Sequence, residues 1–127
     1  MTTRILHIDD DPVFCDLIQR ILAMDPSFKV RSCYTAGDAL ALMGQNLPDL
    51  IICDIEMPNM GGLEFVSKLQ EITGAAQLPV ILLSARVRQL EQYDAFKDMP
   101  VLKMEKPIKP EEFLFTVRKA LAENPTA

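Results

Sequence analysis

Ile5-Leu6-His7-Ile8-Asp9-Asp10-Asp11-Pro12 is the stretch from which the fold can be read. A short, apolar, β-rich segment runs into three aspartates and then a proline. Proline suits a first helical turn, where its missing N–H has no partner to lose, and the aspartate before it can cap the open amides. Beyond it, Phe14, Leu17, Ile18, Ile21 and Leu22 recur at helical spacing, which predicts a helix from Pro12 to Met24. A strand passes through an acidic turn into a helix.

The same alternation continues along the chain. Lys29 to Cys33 reads as a second strand. Thr35 opens a second helix, with Asp38 at capping-box spacing, an apolar stripe of Ala39, Leu40, Met43 and Leu47, and an end at Pro48. Leu50 to Cys53 is a third strand, and Gly61-Gly62 leads into a helix carrying Leu63, Val66 and Leu69. Val80 to Leu83 is a fourth strand, followed by a helix marked by Val87, Leu90 and Phe96. Val101 to Lys106 is the fifth strand, and Pro110 opens a last helix with Phe113, Leu114, Val117 and Leu121.

Five βα units in succession predict an α/β fold with a parallel sheet. Strands one, three and four are nearly unbroken apolar runs, as suits strands covered on both faces. Strand two alternates Lys29, Val30, Arg31, Ser32 and Cys33, and strand five carries Lys103, so both belong at edges. A doubly wound, flavodoxin-like (βα)5 sheet of order 2-1-3-4-5 satisfies these placements with right-handed crossovers. In such sheets ligands bind at the carboxyl ends of the strands where the order reverses, here between strands one and three.

The 127 residues suit one domain, read as residues 1–122 with a tail over 123–127. Hydrophobic residues make up 49% and charged residues 24%, which is ordinary globular usage. A net charge of −5 with no basic patch argues against direct nucleic-acid binding. No apolar run reaches the length of a membrane span, so no membrane insertion is expected. Cys15, Cys33 and Cys53 lack CxxC spacing and fall inside apolar patterns, which reads as buried, reduced thiols of a cytoplasmic protein.

Four strand ends deliver chemistry to one rim: Asp9, Asp10 and Asp11 after strand one, Asp54 after strand three, Ser84 after strand four and Lys106 after strand five. Taken singly, an aspartate or serine there is most often a cap or turn residue, and Asp11 beside Pro12 fits that role. Taken together, Asp9, Asp10 and Asp54 would repel one another unless a cation is present. Oxygen-only ligands favour a hard cation, Mg²⁺ rather than Zn²⁺, and an incomplete carboxylate cage is how Mg²⁺ sits when phosphate completes its shell. A lysine and a hydroxyl opposite that metal would contact phosphoryl oxygens, so the site reads as phosphoryl transfer with Asp54 as nucleophile. His7, inside strand one, reads as a core residue rather than a ligand.

The segments ILHIDDDP, PDLIICDIEMPNMGG, VILLSAR and EKP resemble the receiver domains of two-component response regulators, from about Arg4 to about Leu121. Ser84 stands 30 residues after Asp54 and Lys106 stands 22 after Ser84, which also matches the family. The resemblance implies that Asp54 is the phosphoacceptor and that Asp10 ligates Mg²⁺ directly, with Asp9 acting through metal-bound water. It also implies the backbone carbonyl of Glu56 as a further ligand. Ser84 would hydrogen-bond a phosphoryl oxygen, and Lys106 would hold the same group as a point charge. Lys106-Pro107 is cis in the family, and Pro58 and Gly62 match the turn after strand three. The implied partners are a sensor histidine kinase or phosphotransfer protein and an output partner protein. The protein would be a switch rather than an enzyme, catalysing its own phosphoryl transfer and slow autodephosphorylation.

The pattern is broken at two places. Lys103 stands where receivers commonly carry Tyr or Phe, and a charged amine is not buried at similar cost. Met99-Pro100 replaces the usual Gly-Ala turn. Glu56 and Arg86, two residues past Asp54 and Ser84, either pair across the mouth and slow hydrolysis or form an exposed pair of little consequence. With six residues after Leu121, the chain reads as a stand-alone receiver or as one cut from a longer protein. The alternative is a phosphorylation-independent interaction module of receiver fold, which the presence of Asp10, Asp54 and Lys106 disfavours. An aspartyl-phosphate phosphatase would carry its nucleophile after the first strand. A flavin binder would need a hydroxyl- and glycine-rich loop where three aspartates stand.

Overall fold

The computed structural model describes residues 2–57, 60–72, 77–86 and 100–123. Pro58, the helix expected around Val87, Leu90 and Phe96, Met99, the Asn124-Pro125 tail and the side chain of Leu63 lie outside the described residues.

Thr3–Ile8 forms β1, Phe28–Cys33 β2, Leu50–Asp54 β3, Val80–Ser84 β4 and Val101–Glu105 β5. The described helices are α1 (Pro12–Leu22), α2 (Ala36–Met43), α3 (Gly62–Leu69) and α4 (Pro110–Glu123). All neighbouring strands pair in parallel, in the order β2-β1-β3-β4-β5. Every residue of β3 and β4 is buried, whereas β2 and β5 are partly exposed along their lengths. The edge and centre assignments read from charge placement therefore hold.

The twofold period of the strands divides the core between the two faces of the sheet. Leu6, Ile8, Ile51, Cys53, Val80 and Leu82 pack with Ala39 and Met43 of α2 and with Phe65, Val66 and Leu69 of α3. Ile5, Leu50, Ile52, Ile81 and Leu83 pack on the other side with Ile18, Ile21 and Leu22 of α1 and Phe113 and Val117 of α4. Phe65 and Phe113 are fully buried on opposite faces, and each contributes about 1.5–3 kcal/mol of transfer free energy.

The helix starts follow their caps. Asp11 accepts a hydrogen bond from Val13 N at 3.0 Å ahead of Pro12. Thr35 accepts one from Asp38 N at 3.1 Å and caps α2. The end of α2 differs from the sequence reading. The helix stops at Met43 with Gly44 as its cap, before Leu47. Gly44 and Asn46 are poor helix formers, and Leu47 reaches the core from the following turn instead. Lys106 falls just beyond β5, and its peptide bond to Pro107 is cis, as the resemblance implied.

The register positions the rim. Ile8 pairs with Cys53 across β1 and β3, so Asp9, just past β1, lies beside Asp54, the last residue of β3. Ser84 pairs with Glu105, and the Lys106 amide donates to the Ser84 carbonyl at 2.8 Å. Lys103 is exposed on β5, opposite Leu82.

Candidate functional site

Asp9 leaves β1 at the sheet centre and is fully buried. Its Oδ1 accepts from the Asp11 amide at 2.9 Å, and its backbone carbonyl accepts from Cys15 Sγ at 3.4 Å. Asp54 ends β3 and is 5% exposed, with Oδ1 accepting from the Glu56 amide at 3.0 Å. Asp10 is exposed beside them. One carboxylate oxygen from each of Asp9, Asp10 and Asp54 lies within 4.8 Å of the others.

The Lys106 ammonium closes this cluster. Its Nζ lies 3.3 Å from Asp9 Oδ2 and 3.2 Å from Asp54 Oδ2. It also sits 4.1 Å from the centroid of the Phe14 ring, within cation–π range. Burial alone would lower the Lys106 pKa, but attraction and hydrogen bonds from Asp54 and Asp9 outweigh it and hold the group above its ordinary value. Burial pushes the Asp9 carboxyl up, against the Asp11 amide and Lys106, which pull it down. A partly dehydrated carboxylate that resists its own charge is a site that favours a cation. Three carboxylates exceed the single ammonium among them, and all three offer hard oxygen donors, so a divalent metal fits.

Ser84 is buried at the end of β4. Its hydroxyl lies 3.0 Å from Glu56 Oε1 and 2.9 Å from the Arg86 carbonyl, and it accepts from the Arg86 amide at 2.9 Å. Glu56 Oε1 also accepts from Ala85 N at 3.3 Å. Among the described residues no ion pair joins Glu56 to Arg86, so the pairing considered from the sequence is replaced by an attachment of Glu56 to the end of β4.

The structure brings together Asp9, Asp10, Asp54 and Lys106, with Ser84 and Glu56 alongside. Asp11 is a cap, as read. His7 is a core residue, fully buried, with Nε2 4.0 Å from Asp9 Oδ2 and neither ring nitrogen hydrogen-bonded. Burial and the nearby Lys106 charge lower its pKa to about 4, so it is neutral. The three cysteines are buried and free, and burial raises each thiol's pKa. The spacing of Phe14 marks it only as part of a helix stripe. Its place in the first turn after the acidic segment was the available signal that its ring would lie beside the rim.

The fold and the rim define a doubly wound α/β protein with an acidic, lysine-balanced site at its topological switch point. The chain belongs to the response regulator receiver domain family, whose model matches residues 5–118. It is a receiver domain of two-component signal transduction. A 14.6 kDa protein of Leptolyngbya boryana is 33% identical over 115 residues, covering 91% of this chain and 87% of that protein. Response regulator Rre1 of Synechocystis is 32% identical over 118 residues, covering 93% of this chain and 51% of Rre1. The chain thus spans about half the length of that curated relative. Chemotaxis response regulator CheY4 of Vibrio cholerae superposes with a TM-score of 0.85 at 24% identity, over 95% of this chain and 100% of that one.

Proposed function

We propose that this receiver takes a phosphoryl group onto Asp54 from the phosphohistidine of a sensor kinase or phosphotransfer protein, in a Mg²⁺-dependent reaction. The observation that carries this reading is the Lys106 ammonium shared between Asp54 and Asp9, within a cluster of three carboxylates. Asp9, Asp10, Asp54 and the backbone carbonyl of Glu56 would hold the metal. When bound, it supplies positive charge that screens the carboxylate nucleophile from the anionic phosphoryl group.

The chain's own residues do the rest. An Asp54 carboxylate oxygen attacks phosphorus, and the P–N bond of the phosphohistidine breaks with its electron pair returning to the imidazole nitrogen. Lys106 is held at the right place by Asp9 and Phe14 and turns its charge to the transferred oxygens. The Ser84 hydroxyl donates to one of them, so the modification is reported to the end of β4. Positioning and charge neutralisation supply most of the rate in such transfers.

The protein is a switch that modifies and slowly demodifies itself, not a turnover enzyme, and residues 1–122 form the switch. Its output is contact with a protein partner. The buried, reduced thiols suit a cytoplasmic setting. No helix among the described residues is long and apolar enough to cross a membrane.

The test is intact-mass analysis after incubation with acetyl phosphate and Mg²⁺. The parent should gain one phosphoryl group, Asp54→Asn should gain none, and EDTA should prevent the gain. A parent that stays unmodified, or an Asp54→Asn variant labelled as fully as the parent, overturns the proposal. The first outcome would favour a phosphorylation-independent interaction module.

A further inference from the structure

Glu56 occupies two hydrogen-bond donors at the end of β4. Its Oε1 lies 3.0 Å from Ser84 Oγ and 3.3 Å from Ala85 N. The residue is also tied to the nucleophile, because its own amide donates to Asp54 Oδ1 at 3.0 Å. A hydroxyl and a backbone amide that converge on one anionic oxygen form the donor arrangement that a phosphoryl oxygen takes. Here a carboxylate oxygen of the same chain has taken it.

We propose that Glu56 is an internal stand-in for the phosphoryl group. In the unmodified protein its carboxylate holds the Ser84 and Ala85 donors, and a phosphoryl group on Asp54 engages β4 only by displacing it. The proposal rests on Asp54 being the phosphoacceptor. Two physical effects act together. The phosphoryl oxygens and Glu56 compete for the same donors, and both are anionic, so they repel at close range. Glu56 is exposed, so its side chain can swing into water without a burial cost. The single Ser84 proton is shared between Glu56 Oε1 at 3.0 Å and the Arg86 carbonyl at 2.9 Å, so the hydroxyl keeps a partner as Glu56 departs, until a phosphoryl oxygen takes the proton from both. Glu56 is therefore a positioning residue acting through Ser84 and Ala85. It biases the population toward the state in which β4 does not register the modification.

The test uses the full chain in two measurements. The first is amide hydrogen exchange at Ala85 in the unmodified protein. Glu56→Ala should speed it, and an unchanged rate overturns the latch. The second is the affinity for beryllium fluoride with Mg²⁺, followed by amide NMR, in the parent, Glu56→Ala, Glu56→Gln, Ser84→Ala and the Ser84→Ala, Glu56→Ala double variant. Glu56→Ala should tighten binding on the order of tenfold, and Glu56→Gln, which keeps the acceptor and loses the charge, should tighten it less. In the Ser84→Ala background the gain from Glu56→Ala should shrink. An equal gain in both backgrounds assigns the effect to charge alone and overturns the latch. Parent binding with unchanged affinity in Glu56→Ala overturns the latch and leaves the Asp54 reading standing. A parent that neither binds beryllium fluoride nor gains mass from acetyl phosphate overturns the Asp54 reading and the latch with it.

Discussion

Lys106 Nζ donates to Asp54 Oδ2 at 3.2 Å across a separation of 52 residues, joining the end of β3 to the residue just after β5. The same ammonium reaches Asp9. It is the cation that the described cluster supplies for itself, so its removal should be felt before any chemistry begins.

Lys106→Met should destabilise the metal-free protein by about 1–3 kcal/mol, below the cost of breaking a fully buried pair because Lys106 is 21% exposed. Mg²⁺ should then stabilise the variant more than it stabilises the parent, since the variant's carboxylates have lost their ammonium. Urea midpoints with and without Mg²⁺ check this. A variant whose midpoint gains no more from Mg²⁺ than the parent's would contradict the shared-cation picture.

His7 should make the fold acid-sensitive. Its pKa falls from 6.5 to about 4 on folding, so between those values the unfolded chain binds a proton that the folded one does not. Stability then rises with pH across that window, by on the order of 3 kcal/mol in total, and is lost as pH falls through it. Asp9 acts in the opposite sense. Its folded pKa is raised, so its contribution is present at low pH and is lost as pH rises through the folded value. The comparison of parent with His7→Leu isolates the histidine. From pH 7 to pH 4 the parent should lose stability relative to the variant, and parallel curves would exclude the effect.

Glu56 and Arg86 should act independently on the phosphoryl lifetime. Glu56 is bound to Ser84 and Ala85, and no described ion pair links it to Arg86. A double-mutant cycle of Glu56→Ala and Arg86→Ala on the dephosphorylation rate should be additive within about 0.3–0.5 kcal/mol. A larger coupling would restore the pairing across the mouth.

Lys103 should stay exposed in both states. It is exposed on β5 in the unmodified protein, and drawing a charged amine into the apolar interior costs free energy. A structure with beryllium fluoride on Asp54 should show the same placement. A Lys103 side chain drawn into the interior by the mimic would refute this.

The sheet was legible because burial on two faces leaves unbroken apolar strands. Leu50 to Cys53 and Val80 to Leu83 could only be central, and Lys29 and Lys103 could only be edge residues. Asp11 before Pro12 and Thr35 before Asp38 signalled their helix starts through local chemistry. The convergence of Asp9, Asp54 and Lys106 followed from topology, since parallel strands bring their carboxyl ends to one rim. Contacts made by long side chains were not legible in the same way. The reach of Glu56 to Ser84 and Ala85, and the Phe14 ring beside Lys106, depend on rotamers that no spacing encodes. The early end of α2 was missed because Leu47 continues the apolar period beyond Gly44, which caps the helix.

The balance of charge at the rim is assembled late along the chain. Asp9 and Asp54 are translated well before Lys106, yet the ammonium is what sits between them in the finished sheet. The two carboxylates meet only when β1 pairs with β3, so in the unfolded chain water and salt screen them from each other. Pairing β1 with β3 before β5 docks would leave those carboxylates facing each other without the Lys106 ammonium, which favours closing the sheet in one cooperative step.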